Sequence, residues 1–266
     1  MRTQRGLMFW VFWLAACLVL AFITLPLLAL VLHPSLGQLR EAAMHVGVRD
    51  AFLVSLEGAA LSTALSMLFG VPLAYLLARQ QFRGKTAIET IVDLPLTVPH
   101  TIAGIALLLV FSRHGWLGPA AAHLGLSFWG TFAGVVLAMA YVGLPYAVNA
   151  ARVGFEAVDP RLEKAARSLG AGPWATFTGV SLPLAWRGVM TGLTLCFARA
   201  IGEFAAVVLL AYYPMSAPVK IYELFLQAGL NQSVAASVLF LTIVLGLFCA
   251  LRLLAYGRRV ERVAQA

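Results

Sequence analysis

Residues 7–32 run for 26 positions without a charged side chain, and five further apolar stretches follow along the chain. A hydrocarbon layer about 30 Å thick is crossed by roughly 20 residues of helix. Inside it, backbone N–H and C=O groups find partners only within a helix or a closed barrel. Runs this long are helical spans, because a barrel strand needs only about ten residues. Composition agrees, with 61% hydrophobic and 11% charged residues and a mean hydropathy of +0.89, against about 25% charged in soluble domains. The expected class is an all-α integral membrane protein of six transmembrane helices.

The first run follows Arg2 and Arg5. It is too long for a secretory signal and lacks a small-residue cleavage site, so it is expected to stay as a span. Further spans are expected at about 51–78, 94–112, within 124–151, at 188–213 and at 233–251, joined by loops at 33–50, 113–127, 152–187 and 214–232. Glu57 stands about one turn inside the second span. Pro95 and Pro99, four apart, break the hydrogen-bond ladder of the third. Trp116 and Trp129 suit interfacial positions.

Six spans put both termini on one side of the membrane. That side collects fourteen Lys and Arg residues: Arg2 and Arg5, the 79–85 loop, the 152–187 loop and the tail from Arg252. The other side holds four: Arg40, Arg49, Arg113 and Lys220. Cytoplasmic loops carry the excess of positive charge, so both termini and the 152–187 loop are expected in the cytoplasm. The same distribution accounts for the net charge of +8 without a nucleic-acid partner.

Within the 152–187 loop, residues 159–183 carry a local design. Asp159 is a good N-cap, and Pro160 suits the first helical position. Leu162, Ala165, Ala166 and Leu169 then recur on one helical face. Gly170 stands where a left-handed residue ends such a helix, and Gly172-Pro173 prevents its continuation. A short helix with a small-residue face, held outside the membrane, is suited to being gripped.

The chain has neither a Gly-x-x-x-x-Gly-Lys-[Ser/Thr] nor a Gly-x-Gly-x-x-Gly loop, so no known nucleotide loop is present. No catalytic set of Ser, His and Asp can be assembled, and His114 and His123 lack companions for a metal site. Cys17, Cys196 and Cys249 lie in apolar runs and read as buried small hydrophobes. Arg199 and Glu203 are spaced i, i+4 inside the fifth span and can neutralise one another. Intramembrane ionisable groups face a bundle interior or a wet path, so the pair either fixes packing or belongs to the path. Gly188, Gly192, Ala198, Ala200 and Gly202 suit close helix approach.

Ala165-Ala166-x-x-x-Gly170, followed twelve residues later by Leu182-Pro183, resembles the Glu-Ala-Ala signature of ABC importer membrane subunits. Residues Gly70-Val71-Pro72-Leu73-Ala74-Tyr75, Asp93-Leu94-Pro95-Leu96, Pro99-His100-Thr101-Ile102-Ala103-Gly104 and Gly202-Glu203-Phe204 resemble molybdate, tungstate and sulfate permeases. Ala217-Pro218-Val219-Lys220-Ile221-Tyr222-Glu223 is similar to the tungstate/molybdate branch in particular. The resemblance implies a type I ABC importer transmembrane domain, 1–266, with the family core at about 50–255, an additional N-terminal span at 7–32 and a cytoplasmic coupling loop at 159–183. It implies a homodimeric pore with two ATP-binding cassette subunits and an extracytoplasmic oxyanion-binding protein, in a prokaryotic cytoplasmic membrane. ATP and Mg would lie on the partner subunit, and this chain would bind no cofactor. Leu162, Glu163, Lys164, Ala165, Ala166, Leu169 and Gly170 would form the ATPase-coupling helix. One departure stands out: the signature's Glu position, six before Gly170, holds Lys164, with Glu163 one place earlier. One residue rotates about 100° around a helix, so Glu163 cannot simply substitute.

An oxyanion needs a wet path lined by helix ends and hydroxyls, and Thr97, Thr101 and Ser112 on the broken third span are candidates. A rival reading is an ion-coupled secondary transporter using Arg199 and Glu203. That class often pairs two broken helices, and the sequence displays one clear break. A membrane-embedded enzyme ranks third.

Overall fold

The computed structural model describes residues 7–256, so Arg2, Arg5, Arg258, Arg259 and Arg262 lie outside the described residues. The helices in order are α1 (Leu7–Leu32), α2 (Leu36–Met44), α3 (Val46–Arg79), α4 (Lys85–Thr97), α5 (His100–Phe111), α6 (Gly118–His123) and α7 (Phe132–Glu156). There follow α8 (Pro160–Ser168), α9 (Pro173–Thr176), a π-helical turn (Phe177–Ser181), α10 (Leu182–Ile201), α11 (Ala205–Leu210), α12 (Ala217–Ala228) and α13 (Leu230–Tyr256). Among the described residues five long apolar helices qualify as spans, and there are six when the bent pair α4–α5 is counted as one span.

The core forms around α7, which packs against α3, α10, α4, α5 and α11. In lipid there is little hydrophobic force between helices, so close packing of small residues must hold them. The buried face of α3 is accordingly Ala51, Ser55, Gly58, Ala59, Ser62, Thr63, Ser66, Gly70 and Ala74, spaced three and four apart. Gly188 of α10 meets Gly154 of α7 so closely that a Cβ on Gly188 would lie 2.4 Å from the Gly154 Cα. One turn on, a Cβ on Gly192 would lie 2.8 Å from the Ala147 carbonyl oxygen. These two glycines make the expected close approach. Gly202 does not, because it caps the end of α10 with open space beside its Cα.

Several boundaries differ from the sequence-based expectation. The third span is two helices meeting at 114° across Val98–Pro99. The fifth begins at Pro173, fifteen positions before 188, because α9, the π turn and α10 run on as one helix, Pro173–Ile201. It ends at Ile201, and residues 202–204 form a second break before α11. The polar connections contain short helices: α2, closed by a capping box between Ser35 and Gln38, then α6 and α12. Because α3 starts at Val46, Glu57 is three turns inside it, exposed in this chain and without an ion-pair partner among the described residues. Cys196 is buried as expected, but Cys17 and Cys249 are exposed on the apolar surface. No described residue of α1 beyond Leu7 is buried.

The C-terminal end of α3 and the start of α4 lie with α8 at one end of the bundle, where Arg79 reaches residues 158 and 163. At the other end the Ala217 N–H donates to Ser55 Oγ at 2.7 Å, seating α12 on α3.

Candidate functional site

Two places concentrate polar chemistry. The first is α8. Asp159 Oδ1 accepts from the Arg161 N–H at 2.9 Å, capping the helix start. At the other end Gly170 takes φ 93°, with the Gly170 N–H on the Arg167 carbonyl (3.0 Å) and the Ala171 N–H on the Ala166 carbonyl (3.1 Å). This is the double-bonded glycine termination in which a residue with a Cβ is strained.

Glu163 is the buried residue of this helix. Its Oε1 accepts from Arg79 Nε and from Ser181 Oγ, each at 2.8 Å, and its Oε2 accepts from the Tyr75 hydroxyl at 3.3 Å. Arg79 Nη2 also donates to the Val158 carbonyl at 3.0 Å. One carboxylate thus joins α8 to the end of α3 and to the π turn in the first part of the fifth span. Ser181 reaches it from that turn, and π turns are frequent at functional positions. Tyr75 is braced edge-on by Phe155 and Phe177, with ring centroids 5.3 and 4.9 Å away. Burial alone would raise the Glu163 pKa. Hydrogen bonds from Arg79 and Ser181, the Arg79 charge and the Tyr75 hydroxyl outweigh it, so the group sits below the ordinary carboxylate range.

The rest of α8 is largely uncovered among the described residues. Leu162 is 48% and Leu169 89% exposed, Lys164 and Ala165 are exposed, and Ala166 is half-buried. Arg161 and Arg167 are exposed as well, so the exposed surface of α8 carries both apolar and basic side chains. Lys164 and Glu163, adjacent in sequence and about 100° apart around the helix, differ in burial: Lys164 is exposed and Glu163 buried.

The second place joins the two helix breaks. Arg199, in the last turn of α10, donates from Nη2 to Glu203 Oε2 at 2.6 Å. Glu203 lies beyond the helix end, in the 202–204 break, rather than on the α10 face expected from the i, i+4 spacing. Its Oε1 accepts from the Ala206 N–H at 2.9 Å. His100, first residue of α5, places Nδ1 2.8 Å from the same Arg199 Nη2. The spacing found Arg199 and Glu203. His100 was missed, because nothing local ties position 100 to position 199.

Residues 70–264 match the family model described as the inner membrane component of binding-protein-dependent transport systems. The chain belongs to this family. Among relatives of this importer component, the probable molybdenum ABC transporter permease protein of Haloferax volcanii is 39% identical over 92% of the chain and 88% of its own length. The molybdate/tungstate transport system permease protein of Pyrococcus furiosus is 37% identical over 88% of the chain and 90% of its own. A probable sulfate transport system permease protein of Nephroselmis olivacea is 31% identical over 93% and 90%. The fold is that of type I ABC importer transmembrane domains. A bacterial alginate ABC transporter, solved with its alginate-bound periplasmic protein, superposes with a TM-score of 0.79 over 97% of the importer component at 17% identity.

Of the candidate path residues on the importer component, Thr97 and Thr101 flank the α4–α5 bend and are exposed. Ser112 is not brought to them. It caps the far end of α5, about 16 Å away along the helix at 1.5 Å per residue. Asp93 and Glu89 of α4 accept hydrogen bonds from Asn149 Nδ2 (2.6 Å) and Arg152 Nη1 (2.7 Å) of α7.

Proposed function

We propose that this chain is the membrane-spanning subunit of an ATP-driven importer that carries a tetrahedral oxyanion into the cytoplasm by alternating access. The relatives support molybdate or tungstate as cargo, with sulfate the more distant choice. The working unit is a homodimer of this transmembrane domain with two ATP-binding cassette subunits, which hold ATP and Mg, and an extracytoplasmic oxyanion-binding protein. Both termini and α8 face the cytoplasm of a prokaryotic cell, and the chain itself is a pore rather than an enzyme.

The observation that carries the ATP-driven reading is the two-sided character of α8. One side is exposed, apolar and small-residued; the other is bonded through Glu163 to two spans. A subunit seated on the first side moves α3 and α10 through the second. Lys164 takes the place of the signature's Glu on the outer side, so the partner's groove is expected to be acidic there, while Glu163 is engaged within the chain.

The double variant Ala165→Glu/Ala166→Glu tests the docking face. Ala165 is exposed and Ala166 half-buried, so the folded permease should lose little thermal stability and keep its membrane insertion. Desolvating two carboxylates against a partner costs several kcal/mol, so co-purification with the ATPase and uptake should each fall more than about tenfold. Normal uptake by the double variant would remove α8 from the coupling role. A second reading, the ion-coupled transporter, gains one observation: the break at 202–204 adds a second discontinuous helix, as that class often has. Family membership weighs against it.

A further inference from the structure

We propose that Arg199 is a transient contact for the oxyanion during its passage, and that Glu203 is the built-in competitor that keeps this contact short. The inference rests on the oxyanion reading above. Three observations carry it.

The first is which groups are open. Glu203 is almost fully buried, with 2% of its side chain exposed, whereas the Arg199 side chain is 23% and the His100 side chain 36% exposed. The cation and the imidazole therefore face the accessible side of the cluster, with the carboxylate behind them.

The second is unused donor capacity. A guanidinium has five N–H donors, and both Glu203 and His100 are met by Nη2 alone. The N–H groups of Nε and Nη1 have no partner among the described residues. Planar N–H donors of this kind suit a tetrahedral oxyanion.

The third is the position. The cluster joins the break at Val98–Pro99 to the break at 202–204, and the helices that follow the breaks, α5 and α11, pack on one another at Gly104 and Ala206. The first helical bond of α5 is the Ala103 N–H on the Pro99 carbonyl, so the N–H groups of His100, Thr101 and Ile102 have no acceptor within the helix. The exposed Thr101 hydroxyl stands in the same turn.

Glu203 is pinned by the Ala206 N–H at the start of α11, while Arg199 is a long side chain at the end of a helix. An arriving dianion can therefore draw the guanidinium away without dragging the carboxylate along. When the dianion moves on, Glu203 takes the cation back. A bare arginine would retain the anion, and no cation at all would leave it without a counter-charge in a poorly solvated passage.

Uptake is measured on the permease–ATPase complex with its binding protein and retention on the permease–ATPase complex alone, with tungstate as probe, measured as tungsten by mass spectrometry. Glu203→Gln unmasks Arg199, and the purified variant complex should retain at least about ten times more tungstate than wild type, a difference in the range of single charge-assisted contacts. Arg199→Gln/Glu203→Gln leaves no unpaired charge. It should retain none and import tungstate at least about tenfold more slowly, with unchanged assembly and thermal stability. Wild-type uptake by the double variant would show that the pair only fixes packing and would overturn the proposal. Equal retention by Glu203→Gln and wild type would also overturn it. If Glu203→Gln fails to assemble, the double variant decides alone. Should the wild-type complex import none of tungstate, molybdate and sulfate, the oxyanion reading falls, and this inference falls with it.

Discussion

Glu163→Ala is expected to abolish ATP-driven uptake, although this side chain belongs neither to the exposed face of α8 nor to the path. Its removal leaves the Arg79 guanidinium, only 10% exposed, with the Val158 carbonyl and no counter-charge. Breaking a buried pair on one side costs roughly 3–5 kcal/mol, and a value near 3 is expected because Arg79 keeps that carbonyl. The spans stay packed, since their contacts lie elsewhere. What is lost is the rigid join between α8 and the ends of α3 and α10. ATP hydrolysis should then continue while transport stops, a separation read directly by measuring phosphate release and uptake on one preparation. Parallel loss of both activities would point to failed assembly instead, and full transport would make the join dispensable.

The same carboxylate sets a pH expectation. Against the upward pull of burial, its folded pKa is held below its unfolded value, chiefly because the hydrogen bonds from Arg79 and Ser181 outweigh that burial. The stabilisation is therefore fully present above the unfolded value and is lost as pH falls through the folded one. From pH 5 to 8 the join should contribute no pH dependence to uptake.

Gly188→Val is expected to damage the fold where α7 crosses α10. The added Cβ would lie 2.4 Å from the Gly154 Cα and 2.9 Å from the Ala150 carbonyl oxygen. Both are backbone atoms, so no rotamer change relieves the clash and α7 must move from α10. Overpacking typically costs 1–3 kcal/mol and occasionally more. A loss of about 3 kcal/mol is expected here, seen as a lowered thermal midpoint of the purified permease. Gly202→Ala is the control, because nothing lies within 4 Å of its added Cβ. Its midpoint should move little.

These two glycines also mark how far sequence reasoning reaches. Gly188 and Gly202 look alike in a small-residue list, and only the crossing of α7 over α10 separates them. The α8 helix was legible because its signals are local: Asp159 bonds two residues ahead, and Gly170 ends the helix it follows. The spans were legible because lipid demands apolar length. What stayed hidden is tertiary. Glu163 turns inward because Arg79, 84 positions earlier, meets it there. His100 joins Arg199 across 99 positions. The π turn that aims Ser181 has no sequence signature. The start of the fifth span was hidden by Gly172-Pro173, which reads as a stop yet sits at the N-terminal end of a helix, where proline is welcome.

Uptake by proteoliposomes holding the purified permease, with the binding protein and tungstate outside the cytoplasmic face, bears most directly on an ATP-driven oxyanion importer. With the ATPase subunit and ATP, tungstate should accumulate; without either, it should not. Accumulation driven by an ion gradient in the absence of the ATPase would contradict the assignment and favour an ion-coupled transporter.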